Sequence, residues 1–523
     1  MRNKRWRVCI IGAGAGGAIV AYDLSIKGIE VVLIEAGEFW DVSKYYWHPD
    51  ARSVFTTDMK LEPYLSGDKP FRLERIRGVG GQTIVYNAVS LRYSEFDFRI
   101  KNYKGIGEDW PITYKDLEPY YNKLEKELGV SGGRENLEDL PCGEYLPPIR
   151  LSKGEKLLKK TCDRLGVNLI PTRKAINTRS YDNRPPCIFC SRCVLGCRIG
   201  AKGSTDFTHI PKALATKKCK LITNAMAKEI LSDKRGLVKG VVYVDKNTGK
   251  EKRIDCDICV LACGAVETPR LLLNSKSKLF PAGLANNSRN VGKYLMENTM
   301  TVLAGLLPIG EKIKAPLGVG TQDNSLIPDF YKEGFHFQVG AQKLDSNFLY
   351  QLAMDTNGFG KEHKERIRKM VLEGVFIALV GFGEIMPYRE NRVEVDNEVK
   401  DYWGIPVPKI YMDITSYETD IMKKMLDKSN EILQEAKSYK IFNYITKYIP
   451  GIVVHQVGTC RMGNDSKTSV VNKYCQAHEV KNLFIADGSV LVTSPAKNPA
   501  LTIQALASRT ADYIIYKMKK GEI

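Results

Sequence analysis

Histidine is scarce in this chain, six in 523 residues, so each imidazole can be weighed singly as a candidate acid or base. Long apolar runs are missing as well. None approaches the ~20 residues needed to cross a bilayer, and no transmembrane segment is expected. The opening MRNKRWRVCIIGAGAGG imitates the start of a signal peptide, but glycines interrupt its apolar stretch almost at once. It reads as a strand entering a turn. Acidic residues are the minority, with 60 Asp+Glu against 78 Lys+Arg and a net charge of +18. The excess is dispersed, apart from short clusters at residues 361–369 and at Lys517, Lys519 and Lys520. That pattern describes a solvated basic surface better than a nucleic-acid groove. Disorder of the bulk is excluded, because 43% hydrophobic and 9% aromatic residues supply a sizeable core. The length allows three or four units of about 150 residues, or a large two-domain enzyme. A soluble, cytoplasmic protein is expected.

The glycines that end the first apolar run carry the first chemical signal. A β-branched strand, Arg7 to Ile11, runs into Gly12-Ala13-Gly14-Ala15-Gly16-Gly17. An apolar-faced helix follows, with Gly28 suited to its C-terminal cap. A second strand, Glu30 to Ile34, then ends at Glu35. Strand, glycine turn, helix, strand and terminal acid together form a dinucleotide-binding fingerprint. Gly12 permits the tight turn, Gly14 lets the backbone approach a pyrophosphate, and Gly17 allows close helix–strand packing. Free amides at the helix start favour phosphate charge. Glu35 would accept hydrogen bonds from a ribose and repel a 2′-phosphate. The pattern alone does not separate FAD from NAD.

A second glycine segment, Arg77-Gly78-Val79-Gly80-Gly81-Gln82-Thr83, precedes Asn87 and Arg92. It suits either a surface turn or backbone lying flat against a bulky planar cofactor. An amphipathic helix is expected from Tyr114 to Leu128, stopped by Gly129. Strands are expected at Val238–Val244 and Ile254–Ala262. Thr268 as N-cap, with Pro269 at the first helical position, predicts a helix beginning there.

Taken together, IIGAGAGGAIVAYDL with Glu35, GVGGQTIVYNAVSLR, CGAVETPRLLLNS and the closing HQVGTCRMG through NPALTIQALASR resemble the glucose–methanol–choline (GMC) flavoprotein oxidoreductases. DWPITYKDLEPYYNKLEKELGVSG and NRVEVDNEVKDYWGIPVPKI look like its gluconate- and sugar-dehydrogenase branch. The resemblance implies an α/β protein with an α+β substrate domain. Residues 1–100, 203–300 and 450–523 would form a discontinuous Rossmann-like FAD-binding domain, 101–202 a helical and cysteine-bearing insertion, and 301–449 a substrate-binding domain on an antiparallel sheet. It implies FAD, covalent or not, held by Gly12, Gly14, Gly17, Glu35, Gly81, Asn87, Ala227 near the adenine, and Asp487. The implied partners are a small alcohol or sugar substrate, an external electron acceptor and a small accessory subunit.

Within that resemblance His455 occupies the position of the active-site histidine. His48, His209, His336, His363 and His478 lack motif context and are read as structural or exposed. Alcohol oxidation needs a base for the hydroxyl proton while hydride leaves carbon for flavin N5, and an imidazole serves at neutral pH. The partner position is Asn498, whose amide cannot act as a base but can support a developing alkoxide. It also suits the turn before Pro499. Where the family often carries Asp-His, this chain has Glu297-Asn298, so no histidine acts there. Glu384 is a weaker active-site candidate, with a solvated loop carboxylate as the other reading.

Cys187, Cys190, Cys193 and Cys197 have the spacing C-x2-C-x2-C-x3-C, four of the 13 cysteines within eleven residues. This resembles the ferredoxin-type run and points to one [3Fe–4S] or [4Fe–4S] cluster; a zinc clip and a metal-free loop are the other readings. A zinc ribbon would need its two knuckles much farther apart. The chain is read as an FAD-dependent dehydrogenase oxidising the CH–OH group of a sugar, sugar acid or other polar alcohol. An oxidase using O2 and a flavin lyase without redox turnover are its rivals.

Overall fold

The computed structural model describes residues 5–42, 58–308, 324–342, 354 and 358–523. Its larger sheet has five parallel strands in the order Leu483–Ile485, Lys250–Leu261, Arg5–Ile11, Val31–Ile34 and Cys219–Ile222. Val31–Ile34 is buried on both faces, as a short all-apolar strand in a covered parallel sheet should be. The hairpin Ala225–Ser232 and Val238–Asp245 extends the sheet antiparallel from the first half of Lys250–Leu261. Register determines where chemistry can occur. Ile11 pairs with both Ile34 and Leu261, and Leu261 pairs with Ile485. The chain therefore leaves four strands at one level, delivering Gly12, Glu35, Ala262–Cys263 and Ala486–Asp487 to a single crevice at their carboxyl ends.

The helix Ala15–Ser25 packs between this sheet and the C-terminal helix Ala500–Lys519. The contact requires glycine. A β-carbon at Gly16 would lie 1.7 Å from the carbonyl oxygen of Ala486, and one at Gly17 would lie 1.9 Å from that of Gly12. Tyr114–Leu128 forms the expected helix, ending at Gly129 with φ of 73°, and Tyr121 shares a 2.8 Å hydroxyl contact with Thr502 of the C-terminal helix.

The expected helix start at Thr268 is corrected. The helix spans Gly264–Asn274, one turn earlier, so Pro269 lies inside it. Proline cannot donate to the carbonyl four residues back. That carbonyl, of Ala265, is satisfied by the Thr459 hydroxyl at 2.7 Å. Thr268 instead donates its hydroxyl to Asp487 at 2.5 Å.

The second sheet is antiparallel throughout, in the order Lys440–Ile445, Thr299–Pro308, Gly374–Gly383, Phe335–Gln342, Ser325–Ile327 and Ile170–Pro171. Alternation along its strands separates two cores. Leu303, Leu307, Val375, Ile377 and Leu379 face the helices Lys153–Arg164 and Ser416–Glu435. Ala304, Leu306 and Phe376 face the helix Gly360–Glu373. The stretch 101–202 divides its packing accordingly, with Tyr114–Leu128 on the first core and Lys153–Arg164 on the second. The ribbon Arg392–Lys400 with Pro406–Tyr411 pairs back to Leu65–Ser66 and packs into the first core through Val393 and Ile410. Thr299, Phe335 and Gly383 lie in register, so Asn298, His336 and Phe382 arrive together where the second sheet meets the first unit.

Candidate active site

A cavity of about 490 Å3 runs along the crevice. Its wall includes Gly12, Gly14, Glu35, Gly81, Asn87, Ala227 and Asp487, and at the other end His455 and Asn498. Of the expected dinucleotide residues only Gly17 lies behind the wall, where it serves packing. The cradle suits a dinucleotide on its own geometry. Gly14 caps the helix Ala15–Ser25 without a side-chain bond, and no acid stands in the first turn to compete for an anion. A β-carbon at Gly264 would meet nothing within 4 Å and would occupy the cavity's edge. Glu35 accepts the backbone N–H of Ala13 at 2.9 Å and of Gly37 at 3.0 Å, and it lines the cavity where a ribose hydroxyl would reach it. Burial pushes its carboxyl above the usual range against those bonds. Asp487 is spent differently. It accepts from Gly264 N, Thr268 Oγ1, Ser489 N and Ser489 Oγ at 2.5 to 3.0 Å, tying the Gly264 helix to the final crevice turn.

At the far end a chain of amides and imidazoles fixes protons in place. Asn298 donates its NH2 to the carbonyls of Gly383 at 3.1 Å and Pro495 at 2.9 Å. Its Oδ1 is therefore an acceptor, taking the Nδ1–H of His455 at 2.9 Å. This makes Nε2 of His455 the unprotonated nitrogen. Opposite it, the Asn498 amide directs Nδ2 at that nitrogen across 3.5 Å. The Asn498 orientation is itself fixed, since its Oδ1 accepts from Gln338 Nε2 at 2.6 Å. Gln338 Nε2 also donates to His336 Nε2 at 3.1 Å. Rings of His336, Phe382 and His455 stack in sequence, with centroids 5.6 and 5.8 Å apart. Removal from water pushes the His455 pKa down to about 4 and that of His336 to about 3. Both are neutral at pH 7.

The segment carrying His455 is strained and anchored. Val454, a β-branched residue, sits at φ 62°. Buried Glu297 holds this stretch by accepting from Gly451 N at 2.7 Å, Tyr448 Oη at 3.1 Å and Gln456 Nε2 at 3.3 Å; burial raises its carboxyl to about 7. On the Asn498 side, buried Lys497 grips Asp97, Ser94 and the carbonyl of Asp139.

Several sequence expectations change. Asn298, read only as a lost histidine, is the group that orients His455. His336, grouped with structural or exposed histidines, is wholly buried against Phe382 and Gln338. Gln338 and Phe382 gave no sequence signal beyond polar and aromatic residues set into apolar strands. Glu384 lies away from the cavity wall, paired with Lys104 and accepting from Tyr417 Oη at 2.5 Å. From residues 300–449, the cavity wall includes Met300, Gln338, Phe382 and Ile405. His209 pairs with Glu127, His478 with Ser469, and His48 lies outside the described residues.

The cysteine expectation is corrected in part. Cys187, Cys190, Cys193 and Cys197 line one cavity of about 320 Å3, and the Cys187 sulfur accepts the Phe189 N–H at 3.3 Å. The donor set therefore suits a thiophilic metal in kind. Yet among the described residues no three His, Cys, Asp or Glu side chains converge to hold a metal ion. The turn splays the thiols, because left-handed Phe189 and Ser191 carry Cys190 outward to an exposed position while Cys193 stays buried. Burial raises Cys187 to about 12, so as placed it is a neutral thiol.

A dinucleotide cradle ending at an unprotonated imidazole opposite an amide donor defines an oxidoreductase acting on CH–OH groups. Family-wide sequence patterns agree. Residues 10–300 and 387–507 match the N- and C-terminal parts of the GMC oxidoreductases, and the chain belongs to that family. FAD is the family's cofactor, and alcohols or sugars are its substrates. The chain is 31% identical to a 2-methyl-1,2-propanediol dehydrogenase of Mycolicibacterium austroafricanum, over 97% of this chain and 94% of that one. It is 29% identical to the fructose dehydrogenase large subunit of Gluconobacter japonicus, over 98% of both. The fold matches that of Aspergillus oryzae formate oxidase with a TM-score of 0.68 at 15% identity, over 99% of this chain and 100% of that one.

Proposed function

We propose that the protein is an FAD-dependent dehydrogenase that oxidises a secondary or primary alcohol carried on a diol, sugar or sugar acid, and passes electrons to an acceptor other than oxygen. The observation that carries this reading is the pairing of the His455 lone pair with the Asn498 NH2 at the end of the dinucleotide cavity. Bound there, FAD would supply the hydride acceptor. A carbinol seated between the two side chains gives its hydroxyl proton to Nε2 of His455. The Asn498 NH2 donates to the same oxygen as negative charge develops on it. Asn298 stabilises the resulting imidazolium by keeping its acceptor on Nδ1–H. Met300, Phe382, Ile452 and Val453 exclude water from the other sides of the pocket.

The dehydrogenase half of the proposal is supported by relatives named for a diol and for fructose, each matched over nearly the whole chain. Other relatives are named as oxidases. The deciding experiment adds vicinal diols, fructose and gluconate to the anaerobic holoprotein and follows flavin bleaching. Turnover in air then compares dye reduction with peroxide release. Bleaching without stoichiometric peroxide is expected; peroxide matching turnover would make it an oxidase, and a flavin that none of them bleaches would remove the reading. A reducing, cytoplasmic setting belongs to the proposal, supported by thirteen cysteines that all stand as free thiols.

A second reading concerns the cysteine loop. All four cysteines line one cavity, which supports a loop able to close on an iron–sulfur cluster when iron is supplied. Iron and acid-labile sulfide in anaerobically purified protein, lost on Cys193→Ser, are the expected result. Iron absent from the wild type ends this reading and leaves the dehydrogenase proposal standing.

A further inference from the structure

We propose that Gln338 is a positioning residue for alcohol oxidation, acting by locking the Asn498 amide so that its NH2, and not its carbonyl, faces the reacting oxygen. The inference rests on the proposed dehydrogenase reading and deepens it. An asparagine at a reaction centre is ambiguous, because a half-turn of its amide exchanges donor for acceptor at almost no steric cost. With the carbonyl turned inward, Asn498 would repel an alkoxide and would also face the His455 lone pair. The neighbouring groups must therefore decide its orientation.

Gln338 is placed to decide it. It sits on the strand Phe335–Gln342, opposite Val380 in the middle of the antiparallel sheet, and is 1% exposed. Its Nε2 reaches Asn498 Oδ1 at 2.6 Å, the shortest link in the chain of side-chain contacts around His455. His336 presents Nε2 to the same NH2 at 3.1 Å, and the wholly buried imidazole stacks on Phe382. One NH2 group thus lies within reach of both Asn498 Oδ1 and His336 Nε2. A flipped Gln338 would set its carbonyl against Asn498 Oδ1. The polarity of the site passes from the strand into the pocket: Gln338 orients Asn498, and Asn498 offers its donor where charge develops. The seat that this creates takes a hydroxyl that becomes an alkoxide, and it disfavours a cationic or purely donating group at that point.

Substitution distinguishes a polarity lock from packing. Gln338→Glu preserves shape but replaces the donor with an acceptor, which turns the Asn498 carbonyl towards His455. Gln338→Leu removes the preference without reversing it. The alcohol that reduces the wild-type flavin is used in anaerobic stopped-flow, with the limiting reduction rate separated from the substrate Kd. The equilibrium affinity for the carbonyl product, read from the flavin spectrum, is measured alongside. Gln338→Glu is expected to lower the limiting rate roughly 100–1,000-fold, the scale of losing one aligned donor, and Gln338→Leu by less. Both variants should weaken product binding. In the Asn498→Ala background the same substitutions should change the rate less than about twofold, since Gln338 acts through the residue already removed.

A Gln338→Glu variant milder than Gln338→Leu, or losses that multiply fully with Asn498→Ala, would overturn the lock while leaving the dehydrogenase reading intact. A wild-type flavin that no alcohol reduces would overturn both. If the glutamate variant does not retain FAD, the leucine cycle decides alone by the same additivity criterion.

Discussion

Asn298 offers the most direct test of how the proton acceptor is prepared. Replacing it with leucine keeps the number and branching of its side-chain heavy atoms, at the cost of bulkier methyl groups, but removes the acceptor for His455 Nδ1–H and the donors to Gly383 O and Pro495 O. A buried polar group left without a partner costs about 1–3 kcal/mol. The Nδ1–H can avoid that cost only by moving its proton to Nε2 or by rotating the ring, and either change takes the lone pair away from the substrate hydroxyl. If the active arrangement lies about 2–3 kcal/mol above the relaxed one, the limiting rate of flavin reduction falls roughly 30–150-fold. The substrate Kd should move little, because Asn298 touches His455 and two carbonyls rather than the cavity wall. The assay is anaerobic stopped-flow on protein whose FAD content equals that of the wild type, with the alcohol varied to separate Kd from rate. Asn298→Asp adds a signature that packing loss cannot imitate. A carboxylate against Nδ1 stabilises the imidazolium, raises the His455 pKa from about 4, and moves the acid limb of the rate profile to higher pH. A leucine variant within threefold of wild type, or an aspartate variant with an unmoved acid limb, would refute the assignment.

Other outcomes follow from the same geometry. His455→Ala should keep FAD bound yet lose two to four orders of magnitude in reduction rate, the usual scale for a general base; near-normal turnover would remove it from the mechanism. Because His455 is pushed down to about 4, the wild-type rate should stay flat from pH 7 to about 5 and fall only near 4; a fall centred at the ordinary ~6.5 would contradict a neutral, desolvated imidazole. Gly16→Ala places a β-carbon 1.7 Å from the Ala486 carbonyl oxygen, so little folded, yellow protein should be recovered, and a full yield would disprove the close helix–turn contact. Glu297, raised to about 7, is protonated in the fold below that pH and ionises at a cost above it. Thermal stability should therefore decline as pH rises from about 4.5 to about 7 and level off above it in the wild type but not in Glu297→Gln, and parallel curves for the two proteins would exclude this titration.

The crevice was readable from sequence because local requirements and global topology coincide there. Gly12 and Glu35 follow strands whose apolar runs announce themselves, and the parallel register leaves them no other place to meet. The helix at Gly264 was misplaced by one turn because Thr268-Pro269 imitates a helix start. The group that allows a proline inside the helix, Thr459, lies far along the chain and makes no local pattern. His455 was visible through its motif, whereas the residues that set its proton were not. Asn298 ends an irregular stretch, and His336 and Gln338 occupy a strand whose alternate members, Phe335, Phe337 and Val339, look like ordinary core. The one available signal was two polar residues on the same face of an apolar strand, a costly arrangement unless partners await them. The cysteine run shows the opposite failure, since regular spacing states which thiols are near one another without stating that they converge.

Placing the orienting groups on the second sheet has a mechanical consequence. His455 and Asn498 stand on irregular segments, one with Val454 in a strained conformation, and such segments do not define an amide or imidazole orientation unaided. The sheet supplies what they lack. Asn298 enters the strand Thr299–Pro308, Gln338 lies within Phe335–Gln342, and Phe382 and Gly383 end the strand paired between them. The ladder bonds that hold these three strands in register therefore also set the spacing between the acceptor for His455 and the donor for Asn498. A one-residue slip would carry Gln338 to the opposite face and unlock both. The donor–acceptor polarity of the reaction centre is thus a property of the sheet, and the irregular segments need only bring the reacting groups within its reach.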